Sequence, residues 1–225
     1  MALADGRKLV LALDTSSDML VCGVAAWDET DLGSASTTTG SAQKPRAMVQ
    51  MLACRDHLCR RQANVELVST AQQALSDAGL SIEDVDSVLV GRGPGSFTGV
   101  RIGIATAKGL ACGAGTPLWG GSTLDSIAWT AWKAGVRGTL GVVADAMRGE
   151  VYPGTYQLDD MGACRLFGTE VVRKAQVCVD QWRTQLNAAE LILCGDGLVK
   201  HREKFEQAGF TTILDENLWR PTSEG

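Results

Sequence analysis

Apolar and polar positions alternate along this chain in short blocks, separated by turns rich in glycine and serine. Residues 8–14 (KLVLALD) are apolar from Leu9 to Leu13 with too little alternation for a half-exposed strand, and predict a buried strand ending at Asp14. Thr15, Ser16, Ser17 and Asp18 form a polar turn, and residues 20–26, rich in Val and Ala, predict a second strand. A third strand is expected over 32–38, completing an antiparallel meander. Residues 40–60 open with a loop at Gly40 and Pro45, after which Met48, Val49, Met51, Leu52 and Leu58 fall at a helix-like spacing. From Arg61 to Ala78 the helical period is clearer, with Val65, Val68, Ala71 and Leu75 assigned to one face and Gly79 as the stop. Residues 85–90 predict the next strand.

The second half repeats this pattern in looser form. Residues 100–112 predict a helix full of Gly and Ala. Gly95, Gly99 and Gly103 recur every fourth residue, and so do Gly109 and Gly113. Each helical glycine costs about 1 kcal/mol relative to alanine, so the helix is expected to pack closely on a sheet or a partner. After Pro117 and Gly120-Gly121, Ser122 is the expected N-cap of a helix through Trp132. Strands follow at 139–144 and 150–158, joined by the hairpin-sized loop 145–149, and another at 164–172. A helix over 175–186, a strand over 190–194, the turn Gly195-Asp196-Gly197, a helix over 198–208 and a strand over 211–214 complete the reading. The whole predicts an α/β protein of two similar lobes, with mixed sheets flanked by helices. The boundary is placed near Gly113 to Pro117, giving lobes 1–114 and 115–225.

Composition narrows the function. With 225 residues, 45% hydrophobic and 21% charged, the chain reads as an ordinary globular protein with room for two cores. A net charge of −5 argues against gripping nucleic acid alone through a basic face. A subunit of a complex whose other members do the gripping stays open. The bunch Arg55, Arg60 and Arg61, beside Asp56, reads as a solvated helix face. Seven cysteines without CxxC spacing read as free, buried, reduced thiols. The apolar run before Asp14 is too short for a signal peptide, and no run approaches the roughly 18–20 residues of a membrane helix. The expected location is cytoplasmic, with no membrane partner.

The densest chemistry is GRGPGSFTGVRIG, residues 91–103. It has no lysine for a Walker A loop, and its glycines at 91, 93 and 95 do not fit GxGxxG. Backbone amides at the helix start, aided by Arg92 or Arg101, are still able to meet an anion. A rigid turn or a partner contact is the other reading. Ser96 has glycines at −1 and +3, not at the −2 and +2 of an esterase elbow. The only histidines, His57 and His201, lie far apart without HExxH or HxxxH, so no metal site is expected. Asp14, Asp145, Glu150 and Asp196 sit at strand ends or turns. In an actin-like ATPase such acids hold Mg²⁺, but Asp14-Thr15-Ser16-Ser17 lacks the glycine of a phosphate hairpin. Turn and capping roles are the alternative.

Four segments together resemble a known family. Residues 11–16 (LALDTS) resemble an LAIDT-type opening, and residues 91–103 match a family signature nearly residue for residue. Residues 145–152 (DAMRGEVY) resemble a third motif, and Gly195-Asp196-Gly197 a fourth. Over about residues 8–214 the chain resembles the TsaB (YeaZ) family of bacterial tRNA threonylcarbamoyladenosine biosynthesis, often labelled M22 glycoprotease-like. The resemblance implies an ASKHA (actin/Hsp70-like) fold of two lobes. It implies a non-catalytic scaffold that binds and activates the TsaD transferase and helps recruit the TsaE ATPase. The metal-binding histidines of TsaD are missing here. No catalytic residue and no metal are expected, and no cofactor in the isolated chain, with ATP or ADP at the partner interface. A homodimer is expected when the chain is alone, and tRNA contact only through the complex. Arg92, Gly95, Ser96, Phe97, Thr98, Gly99, Arg101 and Gly103 are the expected partner and lobe-junction residues. Asp14, Thr15, Ser16, Gly93 and Gly95 are the candidates for nucleotide or anion contact. An ASKHA-type hydrolase or an M22-like peptidase homologue acting alone are the alternatives. Two departures stand out near the expected partner surface. Gln62-Ala63-Asn64 replaces a usual His-Ser or His-Thr pair, and residues 41–58 look like an insertion. The family also continues past the last strand with a helix. This chain stops at Gly225, so the C-terminal lobe is expected to lack it, through truncation or as one segment of a longer polypeptide.

Overall fold

The structure is a computed structural model, and it describes residues 7–27, 49–59, 62–167 and 170–225. The strand expected over 32–38, with Met48, Arg60 and Arg61, lies outside the described residues. In the first sheet β1 (Lys8–Asp14) and β2 (Met19–Trp27) pair antiparallel, Lys8 opposite Trp27 and Asp14 opposite Val21. β3 (Gln50–Cys54) and the short β4 (His57–Leu58) both pair antiparallel with β2. Helix α1 (Ala63–Asp77) leads to β5 (Ser87–Gly91), parallel to β1. Helix α2 (Phe97–Ala114) leads to β6 (Leu118–Gly121), parallel to β5. Parallel neighbours need such crossover helices, whereas the meander needs only turns.

The second sheet follows the same plan. After α3 (Thr123–Lys133), β7 (Gly138–Asp145), β8 (Glu150–Asp159) and β9 (Gly162–Phe167) form an antiparallel meander. The short β10 (Arg173–Lys174) adds to β8. Helix α4 (Ala175–Gln185) leads to β11 (Leu191–Cys194), parallel to β7, and α5 (Leu198–Gln207) to β12 (Thr212–Ile213), parallel to β11. The orders β3-β2-β1-β5-β6 and β9-β8-β7-β11-β12 are one topology used twice. No sequence repeat reveals this, because the two cores are filled differently. In the first, Leu67, Ala71 and Leu75 of α1 and Ala107 and Ala111 of α2 cover Leu11, Leu13, Val24 and Val88. In the second, Trp182 lies 5.9 Å from Phe205 and 6.5 Å from Phe210, over Leu140 and Val142.

Several expectations are corrected. Residues 50–54 and 57–58 are strands rather than helix, because β2 offers its edge to the half-buried Met51, Leu52 and Ala53. A register shift between Val24 and Ala25 accommodates the pairing. Leu118–Gly121 had no strand signal, yet β5 pairs with it, so the first sheet runs past the boundary expected at 114. The core stripe of α1 is Leu67, Ala71, Ala74 and Leu75, which turns Val65 and Val68 out to solvent. Ser122 does sit at the N-cap of α3, but its hydroxyl accepts from Arg165 Nη2 at 2.9 Å instead of capping the helix. Of the strand expected over 164–172, residues 164–167 belong to β9, and 170–172 are not strand. The final residues link the two sheets. Arg220 pairs with Asp18 at 2.7 Å, Ser223 bonds Asp56 through N and Oγ at 2.8 Å, and Thr222 meets Thr130 at 2.9 Å. Among the described residues no helix is long and apolar enough to cross a membrane.

The cysteines are all unpaired, but not all buried. Cys54, Cys112 and Cys164 are exposed, whereas Cys22, Cys59, Cys178 and Cys194 are buried. Burial pushes the Cys22 and Cys178 thiols up to about 12. A native-state titration with a thiol-reactive chromophore is expected to label the three exposed cysteines quickly and the other four only on unfolding. Fast labelling of Cys22 or Cys194 would contradict this packing.

Candidate functional site

The turn between β1 and β2 enters a slot cut by the glycines of residues 91–103. Asp14, Thr15 and Ser16 are all buried. Asp14 Oδ1 accepts from Ser16 N at 2.6 Å, and its Oδ2 accepts from Thr123 Oγ1 at 2.6 Å. Ser16 Oγ lies 2.8 Å from Thr123 Oγ1. Ser96 N donates to Ser16 O at 2.6 Å, and Thr15 Oγ1 donates to Gly99 O at 2.7 Å. The glycine spacing follows from this fit. A Cβ on Gly91 would lie 2.0 Å from Asp14 Oδ2, one on Gly95 2.2 Å from Ser16 O, and one on Gly99 1.9 Å from Thr15 O. One on Gly103 would lie 2.6 Å from Thr15 Oγ1. Gly93 serves the corner itself, with φ +83°. Ser96 then caps α2, its Oγ accepting from Gly99 N at 3.2 Å.

The two sets of candidate residues therefore form one unit. Asp14, Thr15 and Ser16 meet Gly95, Gly99 and Gly103, and the Ser96 amide at the helix start is taken by Ser16 O. Arg92 reaches across to Glu170 at 2.9 Å, and Glu170 also meets Arg165 at 3.1 Å. Arg165 in turn bonds Asp125 and Ser122. Burial pushes the Glu170 carboxyl up, but Ser122, Arg165 and the charge of Arg92 together outweigh it and hold the group below its ordinary value. The Arg101 guanidinium sits 5.3 Å over the Phe97 ring. Thr98, Arg101, Ile102 and Ala105 line a shallow depression on the outer face of α2.

The other acids are held apart from this unit by their own turns. Asp196 Oδ1 accepts from Asp145 N at 2.8 Å, and Asp145 pairs with Lys200 and accepts from Met147 N at 3.1 Å. Burial raises the Asp196 carboxyl. Met147 and Arg148, with φ of 64° and 51°, are both left-handed, which is uncommon for residues with side chains.

The sequence reading placed Phe97 on the partner surface but missed the exposed valines of α1. Val65 on α1 is 73% exposed and Phe97 at the start of α2 is 74% exposed, with Val68 also in solvent. Ala105, Gly109 and Gly113 continue the exposed side of α2. The i, i+3 spacing of Val65 and Val68 was the signal, but it was assigned to the core. Also unforeseen, His57, Cys59 and Glu66 come together where β4 meets α1.

Two lobes built on the same strand order, with a buried aspartate turn of the first sheet at their junction, define an ASKHA-class protein. Comparisons with known proteins make the assignment specific. The family profile described as "TsaD: tRNA N6-adenosine threonylcarbamoyltransferase" matches residues 57–212. The Escherichia coli (strain K12) "tRNA threonylcarbamoyladenosine biosynthesis protein TsaB" is 34% identical over 215 residues, 96% of this chain and 82% of that protein. The TsaB of Bacillus subtilis (strain 168) is 35% identical over 169 residues, covering 72% of this chain and 71% of that one. The solved structure "YeaZ from Pseudomonas aeruginosa" superposes with a TM-score of 0.70 at 28% identity, over 96% of this chain and 87% of the other. This chain belongs to the TsaB (YeaZ) family of tRNA threonylcarbamoyladenosine biosynthesis proteins.

Proposed function

We propose that this chain is a non-catalytic scaffold subunit of the machinery that makes threonylcarbamoyladenosine in tRNA. It pairs with a TsaD-like transferase through its N-terminal lobe and supports recruitment of a TsaE-like ATPase. The observation that carries this reading is the outward apolar face of α1 and α2, with Val65, Val68 and Phe97 in solvent beside small residues. Small side chains let a partner helix approach closely, and aromatic anchors supply binding energy. Two further features support it. Both Asp14 oxygens are engaged by Ser16 and Thr123, and the loop glycines are filled by the protein's own turn. The net charge of −5 suits a subunit that meets tRNA through its partners. In this reading the same face forms a homodimer when the chain is alone. ATP or ADP binds at the junction with the partner, and the complex is cytoplasmic.

Reconstitution tests the proposal. The full chain mixed with its cognate TsaD-type protein is expected to co-elute on size exclusion. Threonylcarbamoyladenosine formation in tRNA is expected to fall to background when the chain is left out. Undiminished modification without it would rule the scaffold role out.

A further inference from the structure

His57, Cys59 and Glu66 offer one ligand atom each, and these atoms all lie within 4.8 Å of one another. His57 Nε2 is 2.8 Å from Glu66 Oε2. The Cys59 thiol is buried beside the same carboxylate. Desolvation and the Glu66 contact raise the thiol, while the His57 contact lowers Glu66.

We infer that His57, Cys59 and Glu66 form a binding site for one divalent ion of the zinc type. The donor set selects the ion. One thiolate, one imidazole and one carboxylate suit Zn²⁺, whereas Ca²⁺ and Mg²⁺ take oxygen ligands. Deprotonated Cys59 and Glu66 with neutral His57 balance the double positive charge. Coordination forms the metal–sulfur bond and releases the Cys59 proton to solvent. A tetrahedral ion with bonds of about 2.0–2.3 Å needs only side-chain rotation here, because all three backbones are already fixed. His57 is paired with Leu20 in the sheet, Cys59 N donates to Asp18 O at 2.8 Å, and Glu66 N donates to Gln62 O at 3.1 Å. His57 and Glu66 are part-exposed, so water has access to the fourth position. The bound ion ties β4 to the first turn of α1. The spacing H-x-C-x₆-E is no recognised motif, and it is the placement of β4 beside the first turn of α1 that brings the three residues together. This inference is independent of the scaffold proposal.

The test uses the full chain, stripped with a chelator and titrated with Co²⁺ and then Zn²⁺ near neutral pH. One equivalent of Co²⁺ is expected to give a thiolate-to-cobalt charge-transfer band with the visible bands of a four-coordinate ion, displaced by Zn²⁺. Cys59→Ser is expected to lose the band, and Cys54→Ser, at an exposed thiol, to keep it. His57→Gln and Glu66→Gln are expected to weaken Zn²⁺ by more than the roughly 10- to 100-fold that an outer-shell partner is worth. His57 is part-exposed, so its variant keeps the test open if Cys59→Ser does not fold. Absence of saturable binding at one equivalent, a band that survives Cys59→Ser, or unchanged affinity in both Gln variants would overturn the site.

Discussion

Gly99→Ala is expected to destabilise the protein by about 3 kcal/mol net, whereas Gly109→Ala, further along the same helix, is expected to stabilise it by roughly 0.5–1 kcal/mol. Both glycines lie inside α2, so helix propensity favours alanine at each. At Gly99 the added Cβ falls 1.9 Å from the Thr15 carbonyl oxygen and 3.0 Å from its carbon. That oxygen belongs to backbone, and the turn that carries it is pinned by the Asp14, Ser16 and Thr123 hydrogen bonds. Relief requires α2 to move off the turn. The move strains the Thr15-to-Gly99 bond at 2.7 Å and the Ser96-to-Ser16 bond at 2.6 Å. At Gly109 nothing lies within 4 Å of the added atom. Urea midpoints at unchanged m-value measure both. A Gly99→Ala protein within about 0.5 kcal/mol of the parent would show that the turn does not seat in the glycine slot.

Val65→Glu and Phe97→Glu are each expected to weaken pairing with the TsaD-type transferase by about 30-fold or more, the effect of losing a hot spot worth at least about 2 kcal/mol. Self-association of the isolated chain is expected to fall with it. Stability should stay within about 0.5 kcal/mol, because both side chains are largely in solvent and make few core contacts. Met161→Glu, at an exposed apolar residue of the β8–β9 turn, is the control expected to leave pairing unchanged. Titration calorimetry and sedimentation read both quantities. Unaltered affinity in Val65→Glu and Phe97→Glu would separate the partner surface from this face of α1 and α2.

The contrast between Gly99 and Gly109 also marks how far the sequence can be read. Long periodic segments were legible: β1, β2, α1, β5, α2, β7, β8 and α5 lie within a few residues of their expected places. The motif at 91–103 was legible as a strand-to-helix corner and as a family signature. The edges were not. β3, β6 and β10 have two to five residues each, too few for a period to emerge. Their conformation is set by the neighbour they pair with, which lies elsewhere in the chain. The face of α1 was misassigned for a related reason: Val65 and Val68 are as apolar as the residues that are buried.

The sequence alone determined the class of fold, the family and the corner at which the two halves of the candidate site meet. It could not determine which glycines are crowded, since 95, 99 and 103 share their spacing with 109 and 113. Only the tertiary structure decided that, by bringing Thr15 and Ser16 against the first three and leaving the last two open. The same holds for His57, Cys59 and Glu66, which are scattered as a sequence and adjacent in space. Periodicity reports how a segment folds on itself. A contact between residues far apart in the chain is fixed by packing, and no local pattern encodes it.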